Sequence, residues 1–154
     1  MIMSRRVFST GVFCLPLAAA LPARSQSADI WSAPHAWEAL SNDEIRMIDV
    51  RSREEWTETG VAERAWPISM HEARFPDRLF AAREAAEGRQ VALICATGGR
   101  SGFIMRSLRT SGYDGFIDVS EGMLGSDVGV GWIAAGLPVV TAEQALAALP
   151  TALL

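Results

Sequence analysis

The stretch LICATGGRSGF, residues 93–103, concentrates the chemistry of this sequence. A short apolar run ends at Cys95, Ala96, Thr97, Gly98 and Gly99 follow, and Arg100 and Ser101 close the segment. Glycines can adopt positive φ, so Gly98 and Gly99 would let the chain curl and turn successive backbone N–H groups inward. A helix starting directly after the curl would add its partly positive N-terminus. Arg100 adds a permanent cation in the same turn. All three favour a thiolate over a thiol, so Cys95 is expected to ionise readily and act as a nucleophile. The same cradle would stabilise an extra sulfur carried on Cys95 as a persulfide. The plain alternative, an inert cysteine ending a buried strand, leaves this combination of glycines and arginine without a purpose.

Several elements must position that loop. QVALIC reads as a continuous apolar strand buried on both faces, with Cys95 at its carboxyl end. Residues from about 99 to 111 read as a helix with Phe103, Ile104 and Leu108 on one side. Upstream, PHAWEALSNDEI predicts a short helix capped by Ser32, and RMIDVR a buried strand. Ser52 opens a short helix, REEWTET, that Gly60 stops. AWPISM reads as a strand despite Pro67. FPDRLFAAREAAEG is a helix with Leu79, Phe80, Arg83 and Ala86 at helical spacing. Downstream come GFIDV as a strand, GWIAAG as a brief helix, and TAEQALAALP as a helix capped by Thr141. Alternating strands and helices predict an α/β fold, a small mostly parallel central sheet flanked by helices on both faces. Ligands of such sheets bind at the carboxyl ends of the strands, which is where Cys95 falls.

The chain of 154 residues is 49% apolar and 21% charged, enough for one globular domain. Residues 1–28 are of a different character. They carry Arg5 and Arg6, then an apolar run, then small residues, and no acidic residue. That order is the one of a cleavable export signal, too short in its apolar part to serve as a permanent membrane anchor. SRRVF partly matches the twin-arginine export motif; an ordinary Sec signal is the alternative. Either implies a periplasmic destination. Losing Arg5, Arg6 and Arg24 with the signal leaves 11 basic against 18 acidic side chains, a net charge of −7 that disfavours nucleic acid as a partner. Cys14 would leave too, making Cys95 the sole cysteine, so no internal disulfide can form. His35 and His71 are isolated histidines, and no metal site is expected.

With these residues in view, the sequence resembles a single-domain rhodanese from about Trp31 to Val140. Met47-Ile48-Asp49-Val50-Arg51 is similar to the family's first strand end, and Glu54-Glu55-Trp56 to its Glu-Glu-aromatic helix. Cys95, Gly98, Arg100 and Ser101 meet its active-site pattern. SGYDGFIDVSEGM and GWIAAGLPV resemble its closing segments. The resemblance implies residues 30–141 as a rhodanese-like domain and 142–154 as a C-terminal helix and tail. It implies a sulfurtransferase in which Cys95 takes a sulfane sulfur from a donor such as thiosulfate and passes it to a thiol or cyanide. No metal or organic cofactor is implied. The backbone N–H groups of Ala96, Thr97, Gly98, Gly99 and Arg100 would hold the charged sulfur. Related folds that hydrolyse phosphate esters use a loop one residue longer; the four residues between Cys95 and Arg100 suit a single sulfur atom.

Three supporting residues are expected near the loop. Asp49 would be a general base or, pairing with an arginine, an organiser of the site. Arg51, with Arg100, would be available to contact an anion, and Glu121 is a candidate partner for Arg100. GVAERA, residues 60–65, lacks the His, Pro and second Gly usual there in the family, and Glu55 brings negative charge near the site. The glycine-rich stretch between Gly122 and Trp132 is either a rim of the active loop or a surface loop. Trp37, Trp56 and Trp132 read as core, Trp31 and Trp66 as pocket-mouth or partly buried residues. A second reading is a non-catalytic or persulfide-carrier module that docks on a periplasmic redox partner.

Overall fold

The computed structural model describes residues 29–154; the signal-like segment, with Arg5, Arg6, Cys14 and Arg24, lies outside them. The elements run β1 (Ile30–Trp31), α1 (Ala33–Ser41), β2 (Ile45–Asp49), α2 (Arg53–Thr59), β3 (Val61–Ala62), β4 (Trp66–Pro67), α3 (Phe75–Ala85), β5 (Gln90–Ile94), α4 (Gly99–Thr110), β6 (Phe116–Val119), α5 (Gly131–Ala134), β7 (Val139–Val140) and α6 (Ala142–Ala147), closed by a 3-10 turn at Thr151–Leu153. The main sheet has the order β1-β6-β5-β2-β4, with all its pairs parallel. β3 and β7 form a separate antiparallel pair, Val61 opposite Val140 and Ala62 opposite Val139. The α/β fold with helices on both faces is therefore as expected.

β5 is central because its apolar run leaves no face for water, and strands β2 and β6 flank it. Alternation along the strands divides the interior in two. Met47, Ala92, Ile94, Ile117 and Val119 face α1, Trp56 and Trp132. Ile48, Leu93, Cys95 and Phe116 face α3 and α4. Both α2 and α6 begin with reciprocal capping boxes, Ser52 with Glu55 and Thr141 with Gln144. The C-terminal tail is packed rather than free: Leu149 and Leu153 join the second core, and Arg78 donates to the Leu153 carbonyl at 2.7 Å.

Three local expectations need correction. The strand at AWPISM contracts to Trp66–Pro67, because Pro67 has no N–H for the ladder. The chain stays extended beside β2 all the same: Ile68 N donates to the Asp49 carbonyl and Met70 N to the Val50 carbonyl. In α4 the buried side is Ser101, Ile104, Met105 and Leu108, an i, i+3, i+4, i+7 set. Phe103 lies off it, is 58% exposed, and lines a shallow groove with Phe80 and Tyr113. In α3 the buried face is Phe75, Leu79 and Ala82, and Arg83 instead lies over the outer ring of Phe116.

Trp56 and Trp132 are fully buried, and half-buried Trp37 meets Trp132 edge-on. Trp31 stacks on His35. Among the described residues no helix is long and apolar enough to cross a membrane.

Candidate active site

The turn after β5 is built as its sequence requires. Gly98 takes φ +80°, and a Cβ there would lie 2.1 Å from the Ser120 carbonyl oxygen, so only glycine fits. Gly99 takes no positive φ, contrary to expectation; it opens α4, where the helix was expected to begin, and has open space around it. One left-handed residue is enough to turn the strand into the helix. Behind the loop stands Gly122 at φ +68°, where a Cβ would meet the Ala96 carbonyl at 2.4 Å and the Thr97 nitrogen at 2.7 Å.

The curl leaves its backbone N–H groups open. Among the described residues, no acceptor takes the N–H of Ala96, Thr97, Gly98, Gly99 or Arg100. Unpaired N–H groups at a helix start are a source of positive potential. Cys95, the residue before them, is 1% exposed and buried rather than at an open mouth. Its Sγ is 3.5 Å from the hydroxyl of Ser101, a residue with no solvent exposure whose hydroxyl also donates to the Gly98 carbonyl at 3.2 Å.

The stretch after Gly122 is the wall of this loop. Met123 N donates to the Cys95 carbonyl and Leu124 N to the Ala96 carbonyl, both at 2.8 Å. Glu121 does not pair with Arg100. Its carboxylate accepts from Gly131 N at 3.2 Å, in room left by Gly129, where a Cβ would come within 2.3 Å of the Glu121 carboxyl carbon. Glu121 thus closes the 122–131 stretch on itself.

Arg100 turns the other way and meets Glu55 in a two-pronged pair, Nη1 donating to Oε2 at 2.7 Å and Nη2 to Oε1. The partner of Arg100 is therefore Glu55, which sequence reasoning passed over. The legible signal was the capping box: Glu55 Oε2 already accepts from Ser52 N, which fixes the carboxylate at the start of α2. Since β2 and β5 are parallel neighbours, the helix starts that follow them lie side by side. The Arg100 guanidinium holds the Glu55 carboxyl down at about 2, and Glu55 in turn raises the pKa of Arg100.

A depressed carboxyl stabilises the fold fully above its unfolded value, near 4.5, and ceases to do so as pH falls through its folded value. The stability difference between wild type and Glu55→Gln is accordingly expected to be constant from neutral pH down to about 5 and to shrink between about 4.5 and 2. Urea unfolding at a series of pH values measures it; a difference already gone at pH 4 would contradict the pairing.

Asp49 and Arg51 organise the site from below. The two are 0% and 1% exposed, with Arg51 Nε and Nη2 on the Asp49 carboxylate at 3.0 and 2.7 Å. Arg51 also donates to the Thr59 hydroxyl and the Gly60 carbonyl, each at 2.7 Å. Asp49 is thus paired with an arginine, Arg51. Arg51 cannot contact a dissolved anion, because all of its reach is spent inside the protein. Asp118, unremarked in the sequence, also lies under α4 close to Ser101.

A model of the rhodanese-like domain matches residues 32–125, from the cap of α1 through the cysteine loop and its wall. The chain belongs to the rhodanese-like family. Among solved structures, this rhodanese-like chain is similar to a rhodanese-like domain protein from Staphylococcus aureus (23% identity, TM-score 0.51), covering 73% of this chain and 99% of that one. It is similar to a protein from M. tuberculosis (26%, TM-score 0.51, covering 71% and 94%). It is also similar to the polysulfide-sulfur transferase homodimer of Wolinella succinogenes (23%, TM-score 0.52, covering 75% and 81%). Among curated sequences, a protein of Synechocystis sp. described as uncharacterised is 28% identical over 126 residues, 80% of this chain. The chain spans 63% of the length of that relative. A rhodanese-like fold fits a site for handling sulfur but does not by itself assign a reaction.

Proposed function

We propose that this rhodanese-like chain is a sulfurtransferase that carries a sulfane sulfur on Cys95. The observation that supports this reading is the run of five backbone N–H groups without an acceptor, Ala96 to Arg100, that leads directly from Cys95 into the start of α4. In the first half-reaction the thiolate attacks the outer sulfur of a donor. With thiosulfate, the S–S bond of the donor breaks, sulfite leaves with the bonding pair, and Cys95 becomes a persulfide anion. In the second, an acceptor nucleophile takes the outer sulfur and the Cys95 thiolate is released; cyanide becomes thiocyanate. Electrons balance in each half, with no external oxidant or reductant. These N–H groups stabilise the negative sulfur through both.

Charge around the loop bears on the donor. Arg100 is engaged by Glu55 and Arg51 by Asp49, so neither is free to hold the second charge of thiosulfate. We read thiosulfate as an assay donor, with a persulfide or another sulfane donor of lower charge as the better substrate. That same economy of charge favours a second reading, a carrier that receives its persulfide from a partner protein on which it docks.

The test is cyanolysis with several sulfane donors, run on wild type and Cys95→Ser. Wild type is expected to release thiocyanate, and to gain the mass of one sulfur, about 32 Da, when exposed to donor alone. Cys95→Ser is expected to do neither. Thiocyanate at equal rates from both would remove Cys95 from the reaction; a mass gain without turnover would support the carrier.

A further inference from the structure

The two half-reactions give no part to the Arg100–Glu55 pair, although Arg100 belongs to the thiol loop. Its N–H is the last of the five without an acceptor, and it follows Gly99 in the first turn of α4. Its neighbour Ser101 holds a hydroxyl 3.5 Å from the Cys95 sulfur. The charge of a Cys95 thiolate is among those that raise the Arg100 pKa. A guanidinium so placed is a natural seat for the second charge of an anionic donor.

That seat is already taken. Arg100 Nη1 donates to Glu55 Oε2 at 2.7 Å and Nη2 to Oε1, the two-pronged geometry with which a guanidinium grips a carboxylate or a phosphate. Arg100 does not hold Glu55 alone. Ser52 N donates to Oε2 at 2.9 Å and Glu55 N to the Ser52 hydroxyl, so the capping box of α2 fixes the carboxylate from its own side. The two side chains are 29% and 28% exposed, so the pair meets solvent, whereas Cys95 and the Asp49–Arg51 pair do not. Held at about 2, the Glu55 carboxyl stays ionised throughout the neutral range. Glu55 is a resident anion, bound as a dissolved one would have to be.

We propose that Glu55 is the specificity-determining residue for donor charge: by filling the fork of Arg100 it turns the site against dianionic sulfane donors and toward donors with one negative charge or none. A dianion could reach Arg100 only by displacing a carboxylate that stays tethered to Ser52 and repels it. Selection of this kind works by penalising the wrong ligand rather than by gripping the right one. Neighbouring cations do not make up for the one that is engaged. Arg51 is buried on Asp49, and Arg53, two residues before Glu55 in α2, pairs with Glu72. Further along α4, Arg106 reaches back toward Gly102 and Arg109 pairs with Asp29.

Glu55→Gln tests the proposal, because glutamine also serves a capping box and so keeps the Ser52 contact while losing the charge. The inference rests on Cys95 being the nucleophile proposed above, and its first readout does not need sulfur transfer. Cys95 is alkylated in the full chain with neutral iodoacetamide and with anionic iodoacetate, and the peptides are resolved by mass spectrometry so that Cys14 is scored apart. In both reactions the S–C bond forms as the C–I bond breaks, and iodide leaves with the bonding pair. The ratio of the two rates cancels the thiolate fraction and reports charge. Relative to wild type, the iodoacetate-to-iodoacetamide ratio is expected to rise about tenfold in Glu55→Gln at low salt, and the gain to fade as ionic strength rises. Glu58→Gln makes the same change of net charge at an exposed position of the same helix, and is expected to move the ratio by less than about twofold. Arg100→Met leaves the carboxylate without its cation and is expected to lower the ratio below wild type.

The second readout is cyanolysis. The kcat/KM for thiosulfate, relative to that for the monoanion benzenethiosulfonate, is expected to rise about tenfold in Glu55→Gln. A carboxylate that only shaped the loop would slow both alkylations together and leave their ratio in place. That result, or an equal shift in Glu58→Gln, would overturn the inference. A shifted ratio in a protein that releases no thiocyanate would uphold the charge selection and sink the sulfurtransferase; turnover with an unmoved ratio would do the reverse.

Discussion

Replacing Gly98 by alanine is expected to cost both stability and the reactivity of Cys95, whereas the same change at Gly99 is expected to be harmless. At Gly98 the new Cβ meets the Ser120 carbonyl at 2.1 Å, and the backbone sits at φ +80°. The left-handed conformation alone costs about 1–2 kcal/mol for a residue with a Cβ, and the collision forces the loop to move besides. Displacing a reactive group by about 1 Å can lower a rate about a hundredfold, so alkylation of Cys95 reads out the damage. At Gly99 an added Cβ meets nothing within 4 Å at a helical position, so alanine there is expected to be neutral or slightly stabilising. Equal behaviour of the two variants would mean that the turn is not made as described.

Asp49→Ala is expected to cost about 3–5 kcal/mol, because it strands the guanidinium of Arg51 in the interior. Arg51 would keep the Thr59 hydroxyl and the Gly60 carbonyl but have no counter-charge. Arg51→Met leaves the opposite charge unpaired and falls in the same range. For a domain of this size the loss corresponds to a fall in Tm of about 10–20 °C, measurable by circular dichroism. Cys95 alkylation in the surviving folded fraction is expected to change far less than in Gly98→Ala, since the pair supports the loop from a distance. A loss below about 1 kcal/mol would show that water reaches the pair.

Much of the scaffold was legible in local chemistry. The REEWTET helix begins after Ser52 and ends before Gly60 as its cap and stop residues direct, and the Thr141 cap was equally plain. The position of Cys95 followed from the apolar run that precedes it. What stayed hidden was what strand order decides. Glu121 read as the partner of Arg100, and Glu55 takes that place because β2 lies beside β5. Arg51 read as an anion contact since charge is normally exposed; its burial depends on Asp49, Thr59 and Gly60 converging on it. Phe103 shares a near-helical spacing with Ile104 and Leu108, and a rotation of one residue places it outside. Asp118 carries no motif, and only the sheet register under α4 brings it to Ser101.

The β3–β7 pair has a consequence for when the site comes into being. Gly60, whose carbonyl caps Arg51, packs so closely on Val140 that a Cβ there would meet the Val140 carbonyl at 2.8 Å. β3 is made early in synthesis and β7 late, and contacts between distant parts of a chain form only after the entropy of closing the intervening loop has been met. A nascent chain that has already produced Cys95 still lacks β7, the strand on which Gly60 rests. The Gly60 support of Arg51 is therefore completed only after the C-terminal segment is free to dock.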